Sequence, residues 1–287
     1  AAPDGGVGVR KVKAILLING FAQSTRASVA SELGADCLAA RLHSEGWDVW
    51  MLEYRVSPLL AASARFSTLD DIAACDIPAA IDKVCAALAR ELGIDRPELL
   101  RIHAFSHCVG SAALAMSLAQ GRLSITHPDA PPGTEPPPLV HKLAGVSFSQ
   151  FQPYLVGSDS AQQRLQLGSF IHNVLGRDVL HFAAGSVKPD LLHALLDRVF
   201  ATLPHDGQPC PHEDDLRQHQ PDTTTCKRMS GLLSRLFDHE RLGKIHHNLD
   251  HYFGRTNLGV FLHGAKCVHY ERLVDYDGRT YLSDAKG

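Results

Sequence analysis

The sequence predicts an α/β fold, in which a mostly parallel β-sheet is flanked by helices. Over residues 1–152, short runs of aliphatic residues alternate with longer amphipathic stretches, which is the pattern of strands connected by helices. The chain has 287 residues, of which 45% are hydrophobic and 21% are charged. It is therefore long enough to bury a large hydrophobic core.

Four apolar runs are predicted to form the strands of this sheet. The first, Lys13–Ile18, is followed by Asn19-Gly20, a pair that is typical of a turn. The other three are Trp47–Tyr54, Leu99–Phe105 and Leu143–Phe148. The first run is continuously aliphatic, as expected of a strand that is buried on both faces of a parallel sheet.

Three segments between these runs are predicted to be helices. They are Ser28–Ser44, Thr68–Arg90 and Gly110–Gln120. The second contains Pro78, which a helix tolerates best in its first turn. The third is rich in small residues, so it can pack close to a sheet. A proline-rich stretch up to Pro138 is predicted to be a surface loop.

The pattern changes after residue 152, where helical segments such as Leu191–Leu203 and Met229–Phe237 replace the strand-like runs. The polar stretch His205–Thr225 between them is predicted to be an irregular loop. We therefore predict a core over residues 1–152 and a helical cap over 153–265. Residues 266–287 are expected to return towards further core strands.

Composition excludes several classes of function. There are 28 Lys and Arg residues against 31 Asp and Glu residues, so no basic excess is present for nucleic acid. Apolar runs such as Ala14–Ile18 are far shorter than the ~20 residues of a membrane span. No secretory signal is visible, and the seven cysteines are an odd number, so we expect a cytoplasmic protein with mostly buried thiols.

The histidines give no metal-binding pattern. Four of the 17 histidines cluster at His239, His246, His247 and His251, but their spacing matches no known zinc motif. Polar or structural roles on a helix are the simpler interpretation. We therefore predict neither a metal nor a cofactor.

Cys108 is the candidate nucleophile. A predicted strand runs into Ser106 to Ser111 (SHCVGS) and then directly into a helix. A residue at the tip of such a strained turn needs small neighbours two positions before and after it, and Ser106 and Gly110 satisfy this. The helix N-terminus would favour a thiolate, and the Val109 backbone N–H would be one oxyanion donor. The alternative is that Cys108 is a small buried residue at a tight turn.

This turn resembles the nucleophile elbow of the α/β-hydrolase family, G-x-S-x-G. Ser106 replaces the first glycine of that motif, and Cys108 replaces its serine. The first strand ends in Asn19, Gly20 and Phe21, where the family commonly has His-Gly before an oxyanion-hole residue. The resemblance therefore implies that the Phe21 backbone N–H is the second oxyanion donor. Alternatively, Asn19-Gly20 is only a turn.

Longer segments resemble a narrower group, the hydrolase module associated with cholesterol-oxidase-type (GMC) flavoenzymes. The segments that carry this resemblance are Trp47–Pro58, Thr68–Ala80, His107–Ser111, Asp238-His239, Leu249–Gly254 and Val274–Leu282, together with Cys210 and Cys226 at the positions of its paired cysteines. No G-x-G-x-x-G motif follows an N-terminal strand, so FAD is not implied. The elbow alone is also similar to that of polyhydroxyalkanoate synthases.

The resemblance implies a catalytic acid and a histidine that this chain does not contain. In this fold both follow strands that come after the cap, and the sequence given reaches Gly287 where the first of those strands is expected. His107 is expected to point away from Cys108, and Asp238-His239 is an adjacent pair that does not face one site. An alternative alignment makes Gly259–Gly264 that strand. We therefore expect a second polypeptide, as in a processed heterodimer, to supply the remaining strands, the acid and the His.

The predicted function is hydrolysis of an ester or thioester of a hydrophobic acyl group through an acyl-Cys108 intermediate. One alternative is an acyltransferase, similar to a polyester synthase, that uses the same cysteine. Another is a binding module that keeps the fold without catalysis.

Overall fold

A four-stranded parallel sheet lies at the centre of the protein, in the order β2-β1-β3-β4. The computed structural model describes residues 10–30, 35–95, 100–121, 138–157, 159–183, 191–202, 225–229 and 246–281. The strands are β1 (Arg10–Ile18), β2 (Asp48–Leu52), β3 (Leu100–His107) and β4 (Leu143–Ser149). The α/β class and the four parallel strands predicted from the sequence are therefore confirmed.

Helices flank this sheet. In chain order they are α1 (Leu38–Ser44), α2 (Leu69–Asp71), α3 (Ile77–Glu91) and α4 (Val109–Ala119). The inner face of α3 buries a row of aliphatic side chains against the sheet, among them Ile77, Ile81 and Leu88. Burial of such side chains is the main favourable term in folding.

The long helix predicted over Thr68–Arg90 is interrupted. Thr68 and Asp71 form a capping box at its start, and one π-helical turn, Ile72–Asp76, precedes α3. The Ile77 N–H bonds the carbonyl of Ile72, five residues back. Pro78 follows directly and has no N–H to donate, so the wider turn occurs where an α-helical bond is unavailable.

The helix predicted over Ser28–Ser44 is wrong in its first half. Thr25–Val29 is a 3₁₀ turn and only Leu38–Ser44 is α-helical, while residues 31–34 are not among those described. The Ser28 hydroxyl donates to Asn19 Oδ1 at 2.9 Å. This contact ties the 3₁₀ turn to the residue that follows β1.

The second half of the chain contains two short strands that the sequence analysis did not predict. β5 (Val179–His181) pairs with β6 (Arg255–Asn257) as an antiparallel ribbon. The helices around it are α5 (Asp159–Asn173), α6 (Leu191–Thr202), α7 (Leu249–Tyr252) and α8 (Leu258–His269). Gly259–Gly264 lies inside α8, so the alternative alignment that made it a strand is wrong.

This second half packs directly on the end of β1 and on α2. Ser24 N–H donates to Tyr252 O at 2.9 Å, and Gly254 N–H donates to Ala22 O at 3.2 Å. Gly259 has no room for a Cβ, which would lie 2.3 Å from the Ser67 carbonyl. These backbone contacts place α8 above the carboxyl ends of the central strands.

Several predictions fall outside the described residues. They are the loop before Pro138, the polar stretch His205–Thr225 except its last residue, the helix Met229–Phe237 except its first residue, and Asp238-His239. Residues 225–229 are helical. Within the described ranges, no helix has the length and apolar character needed to cross a bilayer.

Candidate active site

Cys108 occupies a strained turn between β3 and α4. Its φ of 52° and ψ of −117° lie in a region that non-glycine residues rarely adopt. β3 ends at His107 and α4 begins at Val109, so the single residue between them reverses the chain direction. The Cys108 N–H donates to Ser149 O at 2.9 Å. The end of β4 thus helps to hold the turn in place.

The two small residues predicted on either side of Cys108 are both closely packed. A Cβ at Gly110 would lie 2.4 Å from the carbonyl oxygen of Asn19 and 2.8 Å from Ile18 Cγ2. Ser106 is fully buried, and its Oγ accepts a hydrogen bond from Ser111 Oγ at 3.2 Å. The turn therefore packs directly against the end of β1.

The Phe21 and Val109 backbone N–H groups both lie at the Cys108 sulfur, where each acts to lower the pKa of its thiol. They come from different parts of the chain and meet because β1 and β3 are adjacent parallel strands, with Ile18 opposite Ser106. Carboxyl ends of parallel strands meet at one edge of a sheet. The five site residues predicted from the sequence, Cys108, Phe21, Val109, Ser106 and Gly110, are therefore brought together.

The loop that carries Phe21 is held by two side chains that the sequence analysis missed. The Tyr54 hydroxyl lies 2.9 Å from the carbonyl oxygens of both Asn19 and Gly20. Gln23 Oε1 accepts from the Gly20 N–H at 3.0 Å. Tyr54 falls in the predicted second strand, and nothing in the local sequence indicates that its hydroxyl reaches this loop.

Cys108 opens into an apolar cavity of about 350 Å³. Phe21, Phe151 and Phe261 contribute aromatic rings to its wall, and α8 contributes Gly264. Apart from cysteines, Gln150 is the one polar side chain among the described residues that line it. A cavity of this size and character suits the apolar part of a small ligand.

Burial dominates the ionisation of Cys108. It raises the pKa of the thiol above its ordinary value, although the hydrogen bonds from the Val109 and Phe21 N–H groups act in the opposite direction. From the sequence, the N-terminus of the helix that follows Cys108 is predicted to favour a thiolate. In the structure that effect is outweighed by removal of the sulfur from water, so Cys108 is a thiol at neutral pH unless a base is added.

No described residue that lines this cavity is a histidine or a carboxylate. His107 faces a different cavity with Leu17, Leu38 and Phe105, and its Nδ1 lies 3.1 Å from Ser149 Oγ. This agrees with the prediction that its side chain points away from that of Cys108. Successive strand residues point to opposite faces of a sheet.

His263 on α8 is also occupied elsewhere. Its Nδ1 accepts from the Leu69 N–H at 3.2 Å, and its Nε2 is 2.8 Å from Val274 O. Burial lowers the pKa of this imidazole, so the neutral ring satisfies both backbone groups. His263 therefore connects α2, α8 and residue 274, and does not act on the thiol.

The described residues also contain no group of three or more His, Cys, Asp or Glu side chains that could hold a metal ion. Of the histidine cluster, His246 is buried and His251 is exposed, while His239 is not among the described residues. Cys210, the expected partner of Cys226, also lies outside the described ranges.

Comparison of the chain with models of known protein families found no match, and comparison with curated proteins found none either. Function is therefore inferred from the geometry around Cys108 and from the resemblance of the sequence motifs.

Proposed function

We propose that this protein is an enzyme of α/β-hydrolase type that hydrolyses ester or thioester bonds of a hydrophobic acyl substrate through an acyl-Cys108 intermediate. One observation carries the proposal. Cys108 is held at positive φ with the Phe21 and Val109 N–H groups at its sulfur, and it opens into an apolar cavity. Strain of this kind persists only where the surrounding structure maintains it, and it clusters at functional sites.

The proposed chemistry begins with loss of the Cys108 proton to a base. The thiolate attacks the acyl carbonyl carbon, and the carbonyl oxygen becomes negatively charged. The Phe21 and Val109 N–H groups donate to that oxygen, and each such donor is worth about 3 kcal/mol in comparable enzymes. Collapse of the intermediate breaks the C–O or C–S bond of the substrate, and the leaving group takes a proton. Water then cleaves the acyl thioester and restores Cys108.

We also propose that the base and its acid are supplied from outside the described residues, by a second polypeptide that adds strands beside β4. Among the described strands, β4 is an edge of the sheet. Phe148 on β4 is exposed, and its ring lies 5.2 Å from that of Phe151 in a tilted arrangement. Unpaired apolar edges of this kind are commonly covered in assembled proteins. A base beside Cys108 would also offset the raised pKa of its thiol.

The test is intact-protein mass spectrometry at alkaline pH, where the Cys108 thiolate forms without an added base, after exposure to a para-nitrophenyl ester of a short fatty acid. The expected result is one acyl adduct, mapped to Cys108 and absent from Cys108→Ala. Because para-nitrophenolate leaves without a proton, this step needs no general acid. The matched control is Cys75→Ser, which removes an exposed thiol and keeps the adduct. Acylation of Cys75 alone, with Cys108 unmodified, contradicts the proposal.

The second candidate is a binding module without catalysis. It is favoured by the absence of a histidine or carboxylate among the described residues that line the Cys108 cavity. Such a module would bind fatty acids or their esters reversibly, with equal affinity in wild type and Cys108→Ala, and would form no adduct. An acyltransferase would form the same adduct, and added acyl acceptors would then release it faster than water.

A further inference from the structure

The Tyr54 side chain lies buried beneath the loop that carries Phe21. Tyr54 follows β2 by two residues and is 3% exposed. Its hydroxyl lies 2.9 Å from both Asn19 O and Gly20 O. Burial, and then the nearby Cys108, raise the pKa of this phenol. The hydroxyl therefore keeps the proton that it shares between the two carbonyl groups.

One of these two bonds helps to set the direction of the Phe21 N–H, together with the Gln23 N–H, which also donates to Gly20 O at 3.4 Å. The Gly20 carbonyl and the Phe21 N–H belong to the same peptide unit, which is planar and trans. In such a unit the C=O and N–H bonds point in opposite directions. A donor that holds the Gly20 oxygen on the side of Tyr54 therefore directs the Phe21 hydrogen towards Cys108.

The preceding peptide unit is held in the same manner. Its carbonyl, on Asn19, accepts from Tyr54, and its N–H, on Gly20, donates to Gln23 Oε1 at 3.0 Å. Two consecutive peptide planes are thus fixed from both sides. Gly20 has little space in which to move, because a Cβ there would lie 3.2 Å from Cys108 Cβ and 3.0 Å from His107 Cδ2.

We propose that Tyr54 is a positioning residue for acyl transfer, whose hydroxyl orients the Gly20–Phe21 peptide so that its N–H stabilises the oxyanion formed at Cys108. This inference rests on the proposed function. Tyr54 touches neither the substrate nor the sulfur, and acts through the backbone of Phe21. It adds a third segment, the end of β2, to the two that supply the oxyanion donors.

The test compares two reactions of Cys108 in Tyr54→Phe. Acylation by a para-nitrophenyl ester passes through an oxyanion, whereas alkylation by iodoacetamide does not. Removal of the hydroxyl is expected to slow acylation about tenfold, less than the loss of a whole oxyanion donor, with the effect in kcat and not in KM. Alkylation of Cys108, measured over the same pH range, is expected to keep its wild-type rate.

The matched control is Tyr281→Phe. This substitution also removes a tyrosine hydroxyl that donates a hydrogen bond, in this case to Asp70 Oδ1. It is expected to leave the rates of both reactions unchanged. If Tyr54→Phe does not fold, as judged by circular dichroism, Gln23→Met removes the other support of the same loop and is expected to show the same selective loss.

Three outcomes overturn the inference. Acylation at the wild-type rate in Tyr54→Phe, or in Gln23→Met if that variant is used, means that the loop needs no such support. A parallel fall in acylation and alkylation means that Tyr54 acts on the thiol itself. Absence of acylation in the wild type overturns the proposed function, and with it this inference, before any variant is compared.

Discussion

The two walls of the Cys108 cavity are built in different ways. One wall consists of the turn at Cys108 and the Asn19–Gln23 loop, where backbone N–H and C=O groups are held by hydrogen bonds and leave no room for added atoms. The other is the face of α8, where apolar side chains surround open space. We therefore expect the first wall to tolerate almost no added side-chain volume, whereas the side chains of the second wall can differ in size to suit the substrate.

A pair of glycines provides the strongest test of this contrast. Gly110→Ala places a Cβ 2.4 Å from a backbone oxygen of Asn19, which cannot move without displacing the loop. We expect a loss of about 1–3 kcal/mol in the free energy of unfolding and a large loss of Cys108 acylation. Chemical denaturation and the ester assay measure the two effects.

The matched variant is Gly264→Ala on α8, where a Cβ meets no atom within 4 Å. It is expected to stabilise the protein by about 0.5–1 kcal/mol, because alanine loses less backbone freedom than glycine in a helix. Equal destabilisation by both substitutions contradicts the difference between the two walls.

Gly264 also offers a test of substrate selection. A leucine at this position fills part of the 350 Å³ cavity. Gly264→Leu is therefore expected to lower kcat/KM for long-chain esters about tenfold or more, compared with kcat/KM for the acetate ester. A series of para-nitrophenyl esters with increasing chain length measures the shift, with Gly264→Ala as the reference variant. An unchanged chain-length profile means that the acyl group does not occupy this cavity.

The ionisation of Cys108 provides a test of smaller magnitude. Because burial raises the pKa of this thiol, its rate of alkylation is expected to increase with pH beyond about 8.5, the ordinary value for cysteine. Exposed Cys75 serves as the internal reference, and peptide mapping after iodoacetamide treatment follows both sites. If Cys108 reaches its half-maximal rate well below pH ~8.5, a base in this chain already activates it.

His263 gives the smallest expected effect. Its pKa is lowered by burial, and Asp70, Lys266 and Asp275 are the charged groups near it. The folded state therefore binds fewer protons than the unfolded state, so the stability contributed by neutral His263 is present above about pH 6.5 and is lost as the pH falls through the folded-state pKa.

Denaturation at several pH values checks this expectation. In wild type the free energy of unfolding falls with acidification, at most by about 1.4 kcal/mol per pH unit for one proton. His263→Gln keeps an acceptor and a donor but cannot titrate, so its slope is expected to be shallower. Identical slopes in the two proteins would mean that another group controls the acid response.

The central sheet and the turn could be predicted because their signals are local. An aliphatic run such as Leu16 to Ile18, followed directly by a turn pair, favours a strand in a sheet that is covered on both faces. Small residues around Cys108 mark a tight turn, and the order of the strands brings Phe21 beside it. The sequence drew attention to Pro78 in the long helix but did not predict the π-helical turn before it. The helix predicted from Ser28 began too early, because Thr25–Val29 forms a 3₁₀ turn.

The sequence predicted the parallel sheet, the position of Cys108 between a strand and a helix, and the Val109 donor from patterns that are read within a few residues. The Phe21 donor was implied by the resemblance of its motifs to a known family. Only the tertiary structure decided that Tyr54 supports the Phe21 loop, that His263 binds backbone groups and not the thiol, and that the pKa of Cys108 is raised. Each of those depends on groups far apart in the chain and on exclusion of water, which no local pattern records.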